Sequence, residues 1–429
     1  MRVSIISLGC PKNEVDSELI LGSLLEEGFE YSPEIEGSDL VVLNTCAFID
    51  SAILESKSWI KKLSDLKKDG IIKRLAVVGC LPQRDKGKFL KGLDEVDYVA
   101  GVGYPQDVGS FLARAFKGNF KKASFFKPLP DKWVERGTRF PLRRRFYAYL
   151  KIAEGCSNRC SYCVIPDIRG PYRSKPMEDV LNEAEDLIRK GVKELILVSQ
   201  DSTLYSYSLS LLLRKLSEMK GDFWIRVLYL HPARTDDELI EAILSSDKVC
   251  SYFDIPIQHV DDEVLKAMRR PYAGSYVETL FEKIRGLDSE ACLRTTVMLG
   301  FPGESKKAFD KLLNFIFKIE FDRLGSFLYS PQKGSLSYFL KPPPFRVSRK
   351  RRDLLMGLQK KISRKRNKLF IGKTLRVLVE KPGVGRSYRD APEIDGLVYI
   401  DRKDVKPGTF VNVKIEKAGD YDLWGRIEP

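Results

Sequence analysis

One stretch of the chain decides the fold: Tyr147-Ala-Tyr-Leu-Lys-Ile-Ala-Glu-Gly-Cys156-Ser-Asn-Arg-Cys160-Ser-Tyr-Cys163. It joins an apolar, aromatic run, which predicts a β-strand, to a loop with cysteines in the spacing C-x3-C-x2-C. Three thiolates on one loop can hold three irons of a [4Fe-4S] cluster, whereas a cluster closed to chemistry normally has four cysteine ligands. The spacing therefore predicts a cluster whose fourth iron is left open.

An open iron predicts a particular chemistry for this loop. It can chelate the amino and carboxylate groups of S-adenosylmethionine, and one electron then cleaves that molecule to give an adenosyl radical. A loop of this spacing after a first strand is typical of the radical S-adenosylmethionine (radical SAM) superfamily. A zinc site with three cysteines and one histidine is the alternative. The two histidines of the chain, His231 and His259, lie on later predicted strands.

Six predicted strands, with helical patterns between them, begin at this stretch. Six βα units in about 200 residues fit an incomplete (βα)6 barrel better than an eight-fold barrel, which needs roughly 250 residues. The active site of such a barrel lies at the carboxyl ends of the strands. The predicted strands are 147–152, 194–199, 224–230, 252–257, 292–299 and 323–329.

Residues after two of these strands are predicted to bind S-adenosylmethionine. Ser199, Gln200 and Asp201 follow the second strand, where members of the superfamily often carry a Gly-Gly-Glu that binds the methionyl amino group. Simple polar caps of the strand end are the alternative. Gly300 follows the fifth strand, where a glycine allows close approach to the adenosyl group or only makes a turn. Tyr162 is also assigned to the cofactor, and no catalytic residue is assigned beyond the cluster ligands.

The first hundred or so residues repeat a unit in which a β-branched run ends in a tight turn with a cysteine. Strands that alternate with helices imply a parallel sheet, and the carboxyl ends of its strands meet at one edge. Cys10, Cys46 and Cys80 each follow one strand and should therefore converge. Small apolar residues at strand ends are the plainer explanation, but three in successive units favour a shared ligand.

The positive charge of the chain is concentrated in one segment. The sequence has 73 basic and 59 acidic residues, and residues 341–370 hold twelve Lys or Arg and one Asp. Apolar residues recur there at helical spacing and predict a helix with one packed stripe. Its basic face fits either a solvated surface or a helix that faces the phosphates of an RNA-rich partner. The apolar stripe consists of Leu354, Leu355, Leu358 and Ile362.

Several functional classes are excluded by composition. No apolar run approaches the roughly 18 residues of a membrane-spanning helix. The apolar run at the N-terminus is interrupted by Ser4 and Ser7 and lacks the basic start of a signal peptide, so we expect a cytoplasmic protein.

In a reducing cytosol, eight cysteines favour metal or catalytic roles. Cys250 and Cys292, in apolar strands, are expected in the core, and residues 119–145 are expected to be a linker.

The C-terminal part predicts a small antiparallel β-barrel. Short alternating strands at 374–380, 396–400, 410–416 and 424–427 are separated by Gly and Pro turns. From Ile371 on, the chain has eleven basic and ten acidic residues. A barrel so close to neutral is poorly suited to nonspecific RNA binding.

Over its whole length the sequence resembles the methylthiotransferases. These are radical SAM enzymes with an N-terminal domain that holds a second [4Fe-4S] cluster and with a C-terminal TRAM barrel. The resemblance implies two [4Fe-4S] clusters and S-adenosylmethionine as cofactors, and domains at 1–125, 142–366 and 369–429. The implied ligands are Cys10, Cys46 and Cys80 for the second cluster and Cys156, Cys160 and Cys163 for the radical cluster.

Two finer motifs resemble one branch of that family. They are residues 7–18, with the sequence SLGCPKNEVDSE, and, in the barrel, residues 385–396, with the sequence GRSYRDAPEIDG. This branch modifies the β carbon of an aspartate in protein twelve of the small ribosomal subunit. The tRNA-modifying branches tend to differ at Pro11 and lack the second motif. A tRNA adenosine methylthiotransferase and a noncatalytic iron-sulfur ribosome-assembly factor are the alternatives.

The resemblance also implies partners. Asp390, Glu393 and Asp395 are predicted to dock the ribosomal protein, because their carboxylates suit its basic surface. We expect this docking to take place within the small subunit, with a weak contact between the basic segment 341–370 and ribosomal RNA. An electron donor and a sulfur donor are further partners that the chemistry requires, and the sequence identifies neither.

Overall fold

The computed structural model describes residues 1–88, 93–143 and 145–428. Its N-terminal part is a parallel sheet, as predicted. With the elements numbered along the chain, the strands of this sheet lie in the order β2-β1-β3-β4-β5-β6. The elements are β1 Arg2–Ser7, α1 Pro11–Glu26, β2 Glu30–Tyr31, β3 Leu40–Thr45, α2 Asp50–Lys68, β4 Arg74–Gly79, α3 Cys80–Asp85, β5 Tyr98–Ala100, α4 Pro105–Lys117 and β6 Ala123–Phe125.

Helix α1 positions most of the N-terminal site. It begins at Pro11, because proline's fixed φ suits the first helical turn and its missing N–H leaves no donor unpaired there. Ile20 and Leu24 are buried against the sheet and α4. Strand β3 is buried along its whole length, as expected of a central strand in a parallel sheet.

The central part contains all six predicted barrel strands. Two parallel three-stranded sheets, β11-β10-β7 and β12-β13-β14, share one apolar core. The elements are β7 Tyr147–Lys151, β8 Ala153–Glu154, α5 Ile165–Arg169, β9 Arg173–Ser174, α6 Met177–Arg189, β10 Glu194–Val198, α7 Leu209–Glu218, β11 Trp224–Val227, α8 Asp237–Leu244, β12 Tyr252–Asp254, α9 Asp262–Ala267, α10 Gly274–Leu287, β13 Cys292–Leu299, α11 Lys306–Ile319, β14 Arg323–Leu328 and α12 Phe345–Lys368.

The barrel is incomplete, as predicted. Ile225 N donates to Lys248 O at 2.7 Å, and Cys250 N donates to Ile225 O at 2.8 Å, which connects the two sheets. No strand pairing joins β7 to β14 in the described part of the chain. Cys250 and Cys292 are buried in the core, which confirms that prediction.

The C-terminal part is a closed barrel in the order β15-β16-β17-β19-β18. The prediction of an antiparallel barrel is wrong for one pair, because β17 and β19 are parallel. Strand β16 was missed because it is short and carries two polar side chains. The strands are β15 Thr374–Lys381, β16 Val384–Ser387, β17 Val398–Ile400, β18 Phe410–Ala418 and β19 Leu423–Ile427.

The predicted linker at 119–145, of which Arg144 lies outside the described residues, is in fact packed structure. Its first part forms β6, the edge strand of the N-terminal sheet. Arg139 is paired with Glu18 of α1 and Glu183 of α6, and its Nη1 donates to Tyr149 O at 2.8 Å. The segment therefore straps the N-terminal domain to the barrel. Its prolines indicated a linker, but contacts with both domains hold this segment in place.

Helix α12 carries the basic segment and leads into the C-terminal barrel. Leu355 and Ile362 are buried in the central core, whereas Leu354 is exposed, so the predicted stripe is wrong at that position. The packed face also holds polar groups: Arg366 Nε donates to Asp322 at 3.1 Å, and Arg389 of the C-terminal barrel donates to the same carboxylate at 2.9 Å. Asp322 thus fastens α12 and the C-terminal barrel to β14. Within the described ranges, no helix has both the length and the apolar character needed to cross a membrane.

Candidate active site

The three N-terminal cysteines lie together at the carboxyl edge of their sheet. Cys10 follows β1, Cys46 follows β3 and Cys80 opens α3 directly after β4. Gly9 has a φ of +88°, and a Cβ atom at this residue would lie 2.9 Å from the Cys46 Sγ. Only glycine leaves room for that thiol. Strand order and this turn together produce the convergence expected from the sequence.

Asn13 of α1 fastens the three cysteine turns to one another. Its side-chain amide donates to Leu8 O at 2.8 Å and to Thr45 O at 3.0 Å, while the Cys80 Sγ lies 3.9 Å from its Oδ1. Burial makes each of these bonds costly to lose. Asn13 therefore holds the ends of β1 and β3 and the start of α3 in one arrangement.

Arg169 enters the N-terminal site from the barrel side. It ends α5 and is almost fully buried, and its Nη2 donates to the Cys80 Sγ at 3.3 Å and to Asn13 Oδ1 at 2.5 Å. Its Nη1 donates to Asp16 and Glu154. Burial raises the pKa of Cys80 to about 12, and the guanidinium opposes this rise. A triad with one sulfur hydrogen-bonded to a buried guanidinium suits a cluster, because cysteine ligands bind as thiolates.

A buried charge network extends from Arg169 along the domain boundary. Lys151 of β7 donates to Asp16 of α1, to Glu135 at 2.5 Å and to Glu154 at 3.2 Å. Lys151 and Arg169 together supply two positive charges to these three carboxylates, and burial raises the pKa of the third, Glu135, to about 7. Buried charges need partners, and these partners come from α1, from the segment 119–145 and from the barrel. The network therefore fixes the N-terminal site relative to the barrel.

The radical-loop cysteines lie beside an open cavity at the carboxyl end of the barrel. Cys156, Cys160 and Cys163 line this cavity of about 450 Å³. Ile165 N donates to the Cys163 Sγ at 3.4 Å, and Arg270 Nη1 donates to the Cys160 Sγ at 3.5 Å. Burial raises the pKa of Cys156 to about 11 and that of Cys163 to about 12. Three thiols on one loop, with donors directed at two of them, fit the ligand set of a cluster.

Tyr162 lies behind the cysteine loop rather than in the cavity. Its ring packs edge-on against Phe301, with centroids 6.3 Å apart, in a small apolar cluster that includes Met268. The neighbouring Ser161 N donates to Met268 O at 3.1 Å. The structure thus assigns Tyr162 a role in supporting the loop.

The residues after β10 meet the cysteine loop. Asn158 Nδ2 donates to Asp201 Oδ2 at 2.6 Å, and Arg234 is paired with the same carboxylate. Gln200 Nε2 donates to Glu154 at 2.7 Å, and its buried Oε1 has no hydrogen-bond partner among the residues that the structure describes. Ser199 is buried, and its hydroxyl accepts from Asp201 N at 3.1 Å. Of the three predicted cofactor residues, Asp201 thus contacts the predicted ligand loop directly, whereas Gln200 bonds to Glu154 just before the loop and Ser199 supports Asp201.

Gly300 was predicted to allow close approach of the adenosyl group, and the structure shows that helix α12 packs closely against it. Gly300 has a φ of +76°, and a Cβ atom there would lie 2.3 Å from the Ser348 Oγ of α12. Its N–H donates to Glu304 at 2.8 Å. The absent side chain of Gly300 thus makes room for the start of α12.

Sequence reasoning missed Lys12 and Arg169. Lys12 is buried, its Nζ donates to Ser199 O at 3.2 Å and lies 3.9 Å from the centroid of the Tyr229 ring, and burial lowers its pKa. It reaches from the Cys10 turn to the end of β10, and no described carboxylate forms an ion pair with it. Its position next to Cys10 and Pro11 was a usable signal. A single arginine at the end of a short helix, like Arg169, gives no such signal in the sequence.

The predicted acidic docking surface is wrong for two of its three residues. Asp390 is buried, pairs with Arg323 at 2.5 Å and accepts from the Ser387 hydroxyl at 2.7 Å. Asp395 is also buried and accepts from the Tyr252 hydroxyl at 2.6 Å. Both carboxylates instead join the C-terminal barrel to the central one.

Glu393 is the exposed member of that acidic motif. Its side chain is half exposed, and it pairs with Arg145 at 2.9 Å. It has a φ of +69°, so it forms the turn of the motif. The acidic motif as a whole is therefore chiefly a domain joint.

Three family models match successive parts of the chain. Residues 2–101 match "Uncharacterized protein family UPF0004", residues 150–316 match "Radical SAM superfamily", and residues 371–427 match "TRAM domain". The Cys156 loop lies in the second region. As a radical SAM protein, the chain uses an iron-sulfur cluster and S-adenosylmethionine.

Curated relatives cover the chain from end to end. The protein from Acetivibrio thermocellus named "Ribosomal protein uS12 methylthiotransferase RimO" is 42% identical and covers 99% of this chain and 98% of its own. The protein of the same name from Thermotoga maritima is 40% identical and covers 100% of both chains. The chain belongs to the RimO family. The RimO relative from Thermoanaerobacter sp. is 43% identical over 99% of both chains.

Solved structures show the same fold at much lower sequence similarity to this RimO-family chain. The radical S-adenosylmethionine methyltransferase TsrM from Kitasatospora setae has a TM-score of 0.57 and 14% identity, and the match covers 77% of this chain and 73% of that one. The radical enzyme OxsB has a TM-score of 0.52 and 13% identity, over 73% of this chain and 51% of that one. These likenesses concern the fold alone.

Proposed function

We propose that this protein is a radical SAM methylthiotransferase that inserts a methylthio group at the β carbon of an aspartate in ribosomal protein uS12. One observation carries the proposal. Two cysteine triads lie at the carboxyl edges of two adjoining sheets, and Arg169 links Cys80 of the first to Glu154, two residues before Cys156 of the second. Full-length similarity to relatives named for this reaction supports the substrate.

We infer that each triad holds one [4Fe-4S] cluster. When bound, a cluster with three cysteine ligands supplies an open iron that can bind S-adenosylmethionine or sulfur, and it passes single electrons. The chain's own contribution is charge compensation: Arg270 donates to Cys160 and Arg169 to Cys80. The radical triad is Cys156, Cys160 and Cys163, and the second triad is Cys10, Cys46 and Cys80.

We propose that Ser199, Gln200 and Asp201 orient S-adenosylmethionine. The buried Oε1 of Gln200 is an acceptor without a partner, which suits the methionyl ammonium as a donor. Tyr162 and Gly300 remain proposed cofactor residues, and in addition Tyr162 packs against Phe301 and Gly300 makes room for α12.

An aspartate substrate fits the charge at this site. Lys12 extends from the Cys10 turn and places a buried ammonium at the end of β10, where no carboxylate of the described residues pairs with it. A buried cation is stabilised by an anionic partner, and the side chain of an aspartate is such a partner. An adenosine base brings no negative charge to this position. We therefore propose that Lys12 binds the substrate carboxylate.

The remaining assignments follow from this function. We propose domain boundaries at 1–125, 142–366 and 369–429, a cytoplasmic location where ribosomal proteins are made, and an electron donor and a sulfur donor as partners.

Mass spectrometry of cells with and without the gene tests the proposed function. The uS12 protein should gain the mass of one methylthio group in place of a hydrogen only when the gene is present, and fragmentation should place the gain on one aspartate. Total tRNA from the same cells is the control and should show no gene-dependent methylthioadenosine. Gene-dependent modification of tRNA with unmodified uS12 would refute the proposal, and so would no modification of either.

A further inference from the structure

The chain between β14 and α12, together with the first turns of α12, forms an exposed rim. It begins at the cavity that the radical-loop cysteines line. Leu336 lines that cavity. Beyond it, Phe339 is 92% exposed and Phe345 is 70% exposed. Large apolar side chains with this much exposure, six positions apart in one short segment, indicate a contact surface.

The rim is held in place despite its exposure. Ser337 N donates to Ser161 O of the cysteine loop at 2.8 Å, and the Tyr329 hydroxyl donates to Ser337 O at 2.8 Å. Gln332 accepts from Arg84 of the N-terminal domain at 2.8 Å. A preformed surface binds its partner without first being ordered.

Unpaired cations continue the rim along the first turns of α12. Arg346, Arg349 and Lys350 are exposed, and none forms an ion pair with a described residue. The later Arg351 and Lys365, by contrast, pair with carboxylates. A surface of free cations repels a basic protein and attracts a polyanion.

Aromatic side chains interleaved with free cations are suited to one polyanion in particular. Bases that are not stacked in a duplex stack on exposed aromatic rings, while Lys and Arg pair with the phosphates. Each unpaired nucleotide carries a flat base next to a phosphate, so RNA supplies both partners at regular spacing, whereas an acidic protein surface supplies mainly charge. The chemistry therefore favours RNA with unpaired bases.

We propose that the rim, defined as Phe339, Phe345, Arg346, Arg349 and Lys350, binds single-stranded ribosomal RNA next to the target aspartate. This rests on the proposed function, since the substrate protein is embedded in RNA within the small subunit. The rim lies beside the cavity in which the reaction occurs, so RNA bound there would bring the target loop to the cysteine loop. The enzyme then acts preferentially on uS12 that is already assembled with RNA.

Binding of a fluorescein-labelled 15-nucleotide uridine RNA to the cluster-loaded full chain tests the rim directly. Phe339→Ala should weaken binding about tenfold, because stacking of one base is lost. The triple variant Arg346→Gln, Arg349→Gln, Lys350→Gln should lower the slope of log Kd against log salt by about two, from three lost phosphate contacts. Matched controls are Phe317→Ala on α11 and Lys403→Gln with Lys406→Gln on the C-terminal barrel, all at exposed positions. Equal effects of rim and control variants would overturn the proposal.

Modification rates separate this inference from the proposed function. With unmodified small subunits, both rim variants should be slowed about tenfold, whereas with free uS12 they should match the wild type. Equal loss on both substrates would mean that the rim contacts the protein, and no loss on either would mean that it contacts nothing relevant; both overturn the inference. Failure of the wild type on both substrates would refute the proposed function, and the RNA-binding measurement would still decide the inference.

Discussion

At the scale of single residues, the site depends on two cations that cross between domains. Lys12 brings a positive charge from the Cys10 turn to the end of β10, and Arg169 brings one from α5 to Cys80. Their surroundings differ. Arg169 is surrounded by acceptors and carboxylates, whereas Lys12 has one carbonyl and one aromatic ring. Arg169 is therefore equipped to hold the structure, and Lys12 to receive a ligand.

Replacing Lys12 should impair recognition of the substrate carboxylate. Lys12→Met should raise KM for a peptide that carries the target aspartate by at least about tenfold, because a charge-assisted hydrogen bond is lost. It should also abolish the preference for that peptide over its Asp→Asn counterpart. Lys12→Arg keeps the charge and should retain most of the preference. Iron content reports whether the site still assembles, and an unchanged Asp-to-Asn preference in Lys12→Met would contradict the role.

At the scale of elements, strand and helix periodicity allowed most of the fold to be predicted. The six barrel strands and the cysteine-bearing turns follow from local patterns that need no knowledge of packing. The errors arose where tertiary contacts decide. Leu354 has helical spacing but is exposed to solvent. Asp390 and Asp395 are acidic, but inside the domain joint they pair with Arg323 and Arg294, and Asp395 also accepts a hydrogen bond from the Tyr252 hydroxyl.

The same limit explains the missed site residues. A pattern in the sequence can place a cysteine at a strand end, because strand ends share an edge. It cannot show that Arg169 of α5 meets Cys80 of α3, which lies 89 positions away in the sequence. Such pairs depend on how two domains dock, and domain docking leaves no periodic signal.

The contact between α5 and α3 should be necessary for the N-terminal cluster. Arg169→Met removes the cation beside Cys80 and leaves Asp16 and Glu154 short of a partner, which is expected to cost on the order of 3–5 kcal/mol. Iron per chain should fall by about half, with the loss confined to the N-terminal site. The matched control Arg114→Met, at an exposed position of α4, should keep all its iron. Full iron content in Arg169→Met would show that the N-terminal site does not need this contact.

At the scale of the whole molecule, three domains are joined by buried charge rather than by apolar surface alone. Lys151 and Arg169 join the N-terminal domain to the central barrel, and Asp322 and Asp390 join the central barrel to the C-terminal one. Buried ion pairs demand one geometry, because a misplaced charge is left unpaired. Two cysteine triads on separate domains can thus face one substrate in a fixed arrangement.

Exchanging each triad for alanine tests the central claim, that two separable cofactor sites cooperate in one reaction. Cys156→Ala, Cys160→Ala, Cys163→Ala should lose about half the iron and all cleavage of S-adenosylmethionine. Cys10→Ala, Cys46→Ala, Cys80→Ala should also lose about half the iron, yet still form 5′-deoxyadenosine and yield no methylthiolated uS12. The measurement is iron content, 5′-deoxyadenosine and modified uS12 in the same samples. Methylthiolated uS12 from the second variant, or loss of its cleavage while the Cys156 cluster is intact, would contradict the account.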